Sequence, residues 1–100
     1  MLSVSLDRQL HMALLEIPEI AAAGFSVREG LTGAGVTVLK GRTYFGSWRE
    51  TASTLVWVSS NIGDPNYFVD TVDEALRHTL LLILRNLEMS SRERPLRAVS

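Results

Sequence analysis

The sequence contains no cysteine, which rules out a disulfide framework and any thiolate metal site and makes a reducing compartment the natural expectation. Histidine is nearly absent too. His11 and His78 are the only two, and neither they nor the carboxylates fall into a metal-ligand spacing such as HExxH. No triad-like arrangement of Ser, Asp or Glu surrounds either one. Catalytic, cofactor-binding and metal-ligating residues are therefore assigned to none, and a non-enzymatic role is expected. The longest apolar run, Leu80 to Leu84, is far short of a membrane span. The opening residues have no basic region and lead into Asp7, Arg8, His11 and Glu16, unlike a secretory leader. These absences point to a soluble, cytoplasmic chain of bacterial type.

Excess positive charge is lacking as well. The formal net charge is −1. Residues 90–100 hold Arg92, Arg94 and Arg97 against Glu93, which leaves the body at about −3. An acidic body argues against a nucleic-acid-binding core, because phosphate neutralisation supplies most of that affinity. What remains is 46% apolar and 21% charged, the composition of a globular chain. One hundred residues make one domain. It is assigned to residues 1–89, with 90–100 as a flexible polar and basic tail.

The clearest local signal is the stretch from Asp70 to Glu88. Thr71-Val72-Asp73-Glu74 fits a capping box, and no Pro or Gly interrupts Val72 to Glu88. The periodicity predicts a helix from about Val72 to Leu87. Val72, Leu76, Leu80, Ile83, Leu84 and Leu87 share one stripe, flanked by Ala75 and Leu82. Glu74, Arg77, His78, Arg85 and Glu88 lie opposite, with Leu81 among them, and His78 reads as a surface partner of Glu74 four residues earlier. Nearer the start, Leu6, Leu10, Ala13, Leu14 and Ile17 recur at helical spacing until Pro18, which kinks or breaks that helix; Gly24 ends any continuation.

Between the helices lies a sheet. Gly24 to Gly35 reads as a loop with a short extended piece at Phe25–Arg28. Val36–Lys40, Thr43–Arg49 and Thr54–Ser59 are rich in β-branched and aromatic residues, and Tyr67–Val69 can add a short fourth strand. A four-residue turn at Glu50–Ser53 would place Trp48 opposite Leu55 and Gly46 opposite Trp57, so that the indole covers the glycine. Alternation then puts Tyr44, Gly46, Trp48, Leu55 and Trp57 on one face and Phe45, Ser47, Val56 and Val58 on the other. The expected fold is α+β, a three- to four-stranded antiparallel meander in the order α-β-β-β-(β)-α, with the C-terminal helix packed on the sheet.

The order helix, three strands, helix is similar to that of double-stranded-RNA-binding domains. Those domains bring lysines to the start of the last helix, where this chain has Thr71-Val72-Asp73-Glu74-Ala75. Gly46-x-Trp48 and Thr71-x-x-Glu74-Ala75 resemble the three-strand-plus-helix DNA-reading module of plant transcription factors and phage integrases, over less than half of the chain. This implies an alternative role in which Lys40, Arg42 and Arg49 with Tyr44 and Trp48 form a small basic–aromatic patch for nucleic acid. The favoured expectation is a self-associating interaction module, a homodimer or a partner of another protein. Large apolar groups on both sheet faces leave one face to be covered. Trp48, Trp57 and Leu81 are the candidate interface residues.

Overall fold

A computed structural model describes the backbone of residues 5–30 and 34–99 and the side chains of 5–30 and 34–89. The order is α1 (Leu6–Leu15), α2 (Pro18–Ala22), β1 (Phe25–Glu29), β2 (Val36–Lys40), β3 (Thr43–Thr51), β4 (Thr54–Ser59), β5 (Tyr67–Val69) and α3 (Val72–Val99). The fold is the expected α+β arrangement. The extended piece after Gly24 is a strand in its own right, so the antiparallel meander has five strands in the order β1-β2-β3-β4-β5. Part of the loop after it, residues 31–33, lies outside the described residues.

Pro18 breaks the first helix. Ile17 is extended, and Pro18 opens the short α2, where its missing N–H costs nothing. The start of α3 follows from its cap: the Glu74 N–H donates to Thr71 Oγ1 at 3.1 Å. The helix runs on past Leu87, where the apolar periodicity stops, and the stretch read as a tail is helical backbone to Val99. Adding a residue to an existing helix is far easier than starting one, and the run continues through Pro95, which supplies no backbone donor.

Two local features change the predicted register. Residues Ala52 and Ser53 have φ of 49° and 66°, so β3 and β4 are joined by a two-residue turn with both residues left-handed. Trp48 therefore pairs with Trp57, and Gly46 with Ser59, not with Trp57. The shift is two residues, so the faces of β4 are preserved. The indole still covers the glycine, from a diagonal position: a Cβ built on Gly46 would meet Trp57 Cζ2. The second feature is a β-bulge. Val38 pairs with Gly46 and Leu39 with Tyr44, leaving Phe45 as an extra residue. Phe45 thereby joins the Trp face, with its ring edge-on to Phe25 at 5.0 Å, while Tyr44 turns to the other face and its hydroxyl donates to Ser47 Oγ at 2.9 Å. The expected assignments of Tyr44 and Phe45 are exchanged.

Both long helices lie on the Trp face and touch each other. One core joins Leu10 and Leu14 of α1, Ile20 of α2, Val36, Val38, Trp48, Leu55, Trp57 and Val69 of the sheet, and Ala75 and Ile83 of α3. Glu50 anchors α1 by accepting the N–H groups of Leu6 and Asp7 at 2.7 and 3.3 Å, a carboxylate at the positive end of the helix dipole. Asp7 Oδ2 in turn accepts the Gly35 N–H at 2.7 Å. The molecule is a two-layer sandwich, helices on one side and sheet on the other.

Candidate interaction surfaces and the His78 cleft

The side of α3 that meets the sheet is the predicted stripe, shifted around the helix toward Ala75 and Thr79. Ala75, Thr79 and Ile83 sit at its centre, with Val72, Leu76, Leu80, Leu82 and Leu87 packed around them. This orientation satisfies a buried polar atom of the sheet. Trp48 is fully buried, and its Nε1–H requires an acceptor. Thr79 Oγ1 accepts that bond at 2.8 Å, and the Thr79 hydroxyl donates to the Ala75 carbonyl at 2.8 Å. With Thr79 turned to the sheet, Leu84 is carried outward to 56% exposure, a correction to its predicted burial. Leu81 is 51% exposed, as its charged neighbours imply.

His78 is carried the other way. It is half-buried instead of pairing with Glu74 on the surface. Its ring stacks on Tyr67 with centroids 4.1 Å apart and lies edge-on to Trp48 and Trp57. The Nε2 atom is buried with no hydrogen-bond partner. Burial first, and the nearby positive charge of Arg85 second, push the imidazole below its ordinary range and favour its neutral form. A cleft of about 470 Å³ opens beside it, between α3 and the loop leading to β5. Asp64 on that loop is occupied by hydrogen bonds from Ser59 and Asn61. The cleft thus borders a histidine whose Nε2 is buried and unpartnered.

The residues singled out from sequence are dispersed. Trp48 and Trp57 are 0% and 4% exposed, locked in the core where they cannot anchor a partner. They are core because both helices cover the face they share. Lys40 leaves the proposed basic patch: its Nζ donates to Asn86 Oδ1 on α3 and lies 6.0 Å over the Phe25 ring. Arg42 is exposed in the β2–β3 turn. Of the patch, only Tyr44 and Arg49 share the open sheet face.

That open face also carries residues not singled out from the sequence, Arg28, Leu39 and Phe68 among them. By register it carries Arg28, Thr37, Leu39, Tyr44, Ser47, Arg49, Val56, Val58 and Phe68, with Phe68 63% exposed and Val56 buried. No acidic side chain falls among these strand positions. The outward side of the helix layer is the other open surface, and of it only Leu81 was singled out from the sequence. Met12 and Leu15 of α1 and Leu81 and Leu84 of α3 are each more than half exposed. Met12 lies about 160° around α1 from Leu10 and Leu81 about 160° around α3 from Thr79, so helical periodicity marks both as outward, whereas Leu84 shares a flank with the core-packed Leu80.

Among the described residues, no three His, Asp or Glu side chains come together as metal ligands, and no helix is long and apolar enough to cross a membrane. Comparison with protein-family models, with curated proteins and with solved structures finds no match to this chain.

Proposed function

We propose that this chain is a non-enzymatic interaction module that works as a homodimer. One observation carries the reading: Met12, Leu15, Leu81 and Leu84 all stand more than half exposed on the side of the helix layer that faces away from the sheet. Single exposed leucines are ordinary, but four large apolar side chains on one side of so small a sandwich favour an interaction surface. A second copy is the commonest partner that can cover such a surface on both molecules at once. The experiment is solution mass by light scattering over a range of concentrations. A mass that rises to twice 11.1 kDa supports the reading, and a mass fixed at 11.1 kDa up to high micromolar concentration overturns it.

A second reading has its own observation. Arg28 and Arg49 lie with Tyr44 and Phe68 on an open sheet face whose described strand positions carry no acidic side chain, with Asp7 and Glu50 at its edge. Aromatic rings for stacking and cations for phosphate are the combination that single-stranded nucleic acid requires. Adding a single-stranded oligonucleotide to the same measurement discriminates. Binding that weakens steeply with salt and is lost in a Phe68→Ala variant would favour this reading over the first.

A further inference from the structure

The outward side of α3 has a spacing that specifies how two copies meet. Arg77, Leu81, Leu84 and Glu88 are all exposed and follow one another at intervals of four, three and four residues. This is the interval at which positions line a single seam between two packed helices. Its centre is a pair of leucines and its ends carry opposite charges. Neither Arg77 nor Glu88 makes a hydrogen bond or ion pair with another described residue.

We propose that a second copy of this chain docks antiparallel along α3, with Leu81 against Leu84 of the second copy and Arg77 against Glu88 of the second copy. The proposal rests on the self-association reading above and adds to it a surface and an orientation. Antiparallel packing about a two-fold axis between Leu81 and Leu84 brings each Arg77 beside a Glu88, twice per dimer. Parallel packing would instead set Arg77 beside Arg77 and Glu88 beside Glu88, which is repulsive. The charges therefore select one orientation. Met12 and Leu15, on the helix that lies beside α3 in the same layer, extend the apolar contact beyond the two central leucine pairs. The resulting particle would have four layers, sheet-helix-helix-sheet, with both open sheet faces outermost and free.

The test uses charge reversal at two exposed positions that no core contact depends on. Sedimentation equilibrium on the full chain compares wild type with R77E, E88R and the R77E/E88R double variant. Each single variant should dissociate roughly ten- to a hundredfold more readily, because each creates two like-charge contacts per dimer. The double variant should recover most of the wild-type constant, and added salt should narrow all the differences. A dimeric wild type whose constant is unmoved by either single reversal overturns this surface while leaving self-association standing. Additive losses in the double variant do the same. A monomeric wild type overturns both. Orientation is read separately. The chain has no cysteine, so L81C and L84C each introduce a single thiol. Oxidising the mixture should join L81C to L84C in preference to joining either variant to itself. Preferential self-joining of each would establish parallel packing and overturn the proposal.

Discussion

Trp48 and Tyr44 are four residues apart on one strand and end in opposite surroundings. Trp48 is sealed beneath two helices, its indole N–H satisfied by Thr79. Tyr44 stands on an open face with its hydroxyl on Ser47. Strict alternation would have put them on the same side. The bulge at Phe45 separates them, and the placement of both helices on the Trp side turns that separation into a difference between core and surface. Aromatic content alone says nothing about which face of a sheet is interior. What covers the face decides it.

The largest effect should come from removing the sealed ring. Trp48→Ala should cost about 3–5 kcal/mol in urea unfolding, and Tyr44→Ala less than about 0.5 kcal/mol, as for an ordinary surface change. Similar costs for the two would show that the second face is covered as well. The contrast is sharpened at Gly46. A Cβ there would stand 2.2 Å from Trp57 Cζ2, so the buried indole must move. Gly46→Ala should cost roughly 1–3 kcal/mol, whereas Ser47→Ala on the opposite face should be close to neutral. Next comes the polar bond inside the core. Thr79→Val strands the Trp48 N–H at a cost of about 1–3 kcal/mol, and most of that cost should vanish when Trp48→Phe is already present. A full cost in both backgrounds would mean that the hydrogen bond does not stabilise this orientation of α3.

The smallest effect is a pH dependence confined to the helix-covered side. Burial, and then Arg85, hold His78 below 6.5 in the fold and favour its neutral form. The unfolded chain takes up the proton at a higher pH than the folded one does. Stability should therefore be complete above about pH 6.5 and fall as the pH drops through 6.5 toward the folded value. Thermal unfolding of H78F between pH 7.5 and 5 should lose that component of the slope. An unchanged slope would place the titrating group elsewhere.

Much of the architecture was legible because it rests on local chemistry. Thr71 with Glu74 marks the start of α3, Pro18 marks the break, and the β-branched runs mark β2, β3 and β4 within two residues. The errors fall where no residue type announces the geometry. A left-handed pair of residues at a hairpin is usually signalled by Asn-Gly, and here Ala-Ser adopts it. The bulge falls within Thr43-Tyr44-Phe45-Gly46, where either aromatic could face inward. The candidate surface was half visible. Leu81 stood out among charges, but Leu84 was hidden in a stripe of leucines, at the edge that turns outward when Thr79 faces Trp48. Nothing local in the sequence joins Trp48 to Thr79, 31 residues apart.

The plain succession of strands has a kinetic consequence. Every strand pairs with its neighbour in the chain, so each of the four pairings closes a short loop. Short closures are entropically easy, and proteins dominated by them fold quickly for their size. The β2–β3 and β3–β4 hairpins, each turned by two residues, can form before either helix is in place. The helices are the exception, since Leu6 and Asp7 of α1 reach Glu50 across more than forty residues and Asn86 of α3 meets Lys40 across 46. Hairpin formation and α1 docking should thus separate in time, and the two tryptophans on β3 and β4 are placed to report the first through their mutual contact before Leu10 and Leu14 arrive to close the core.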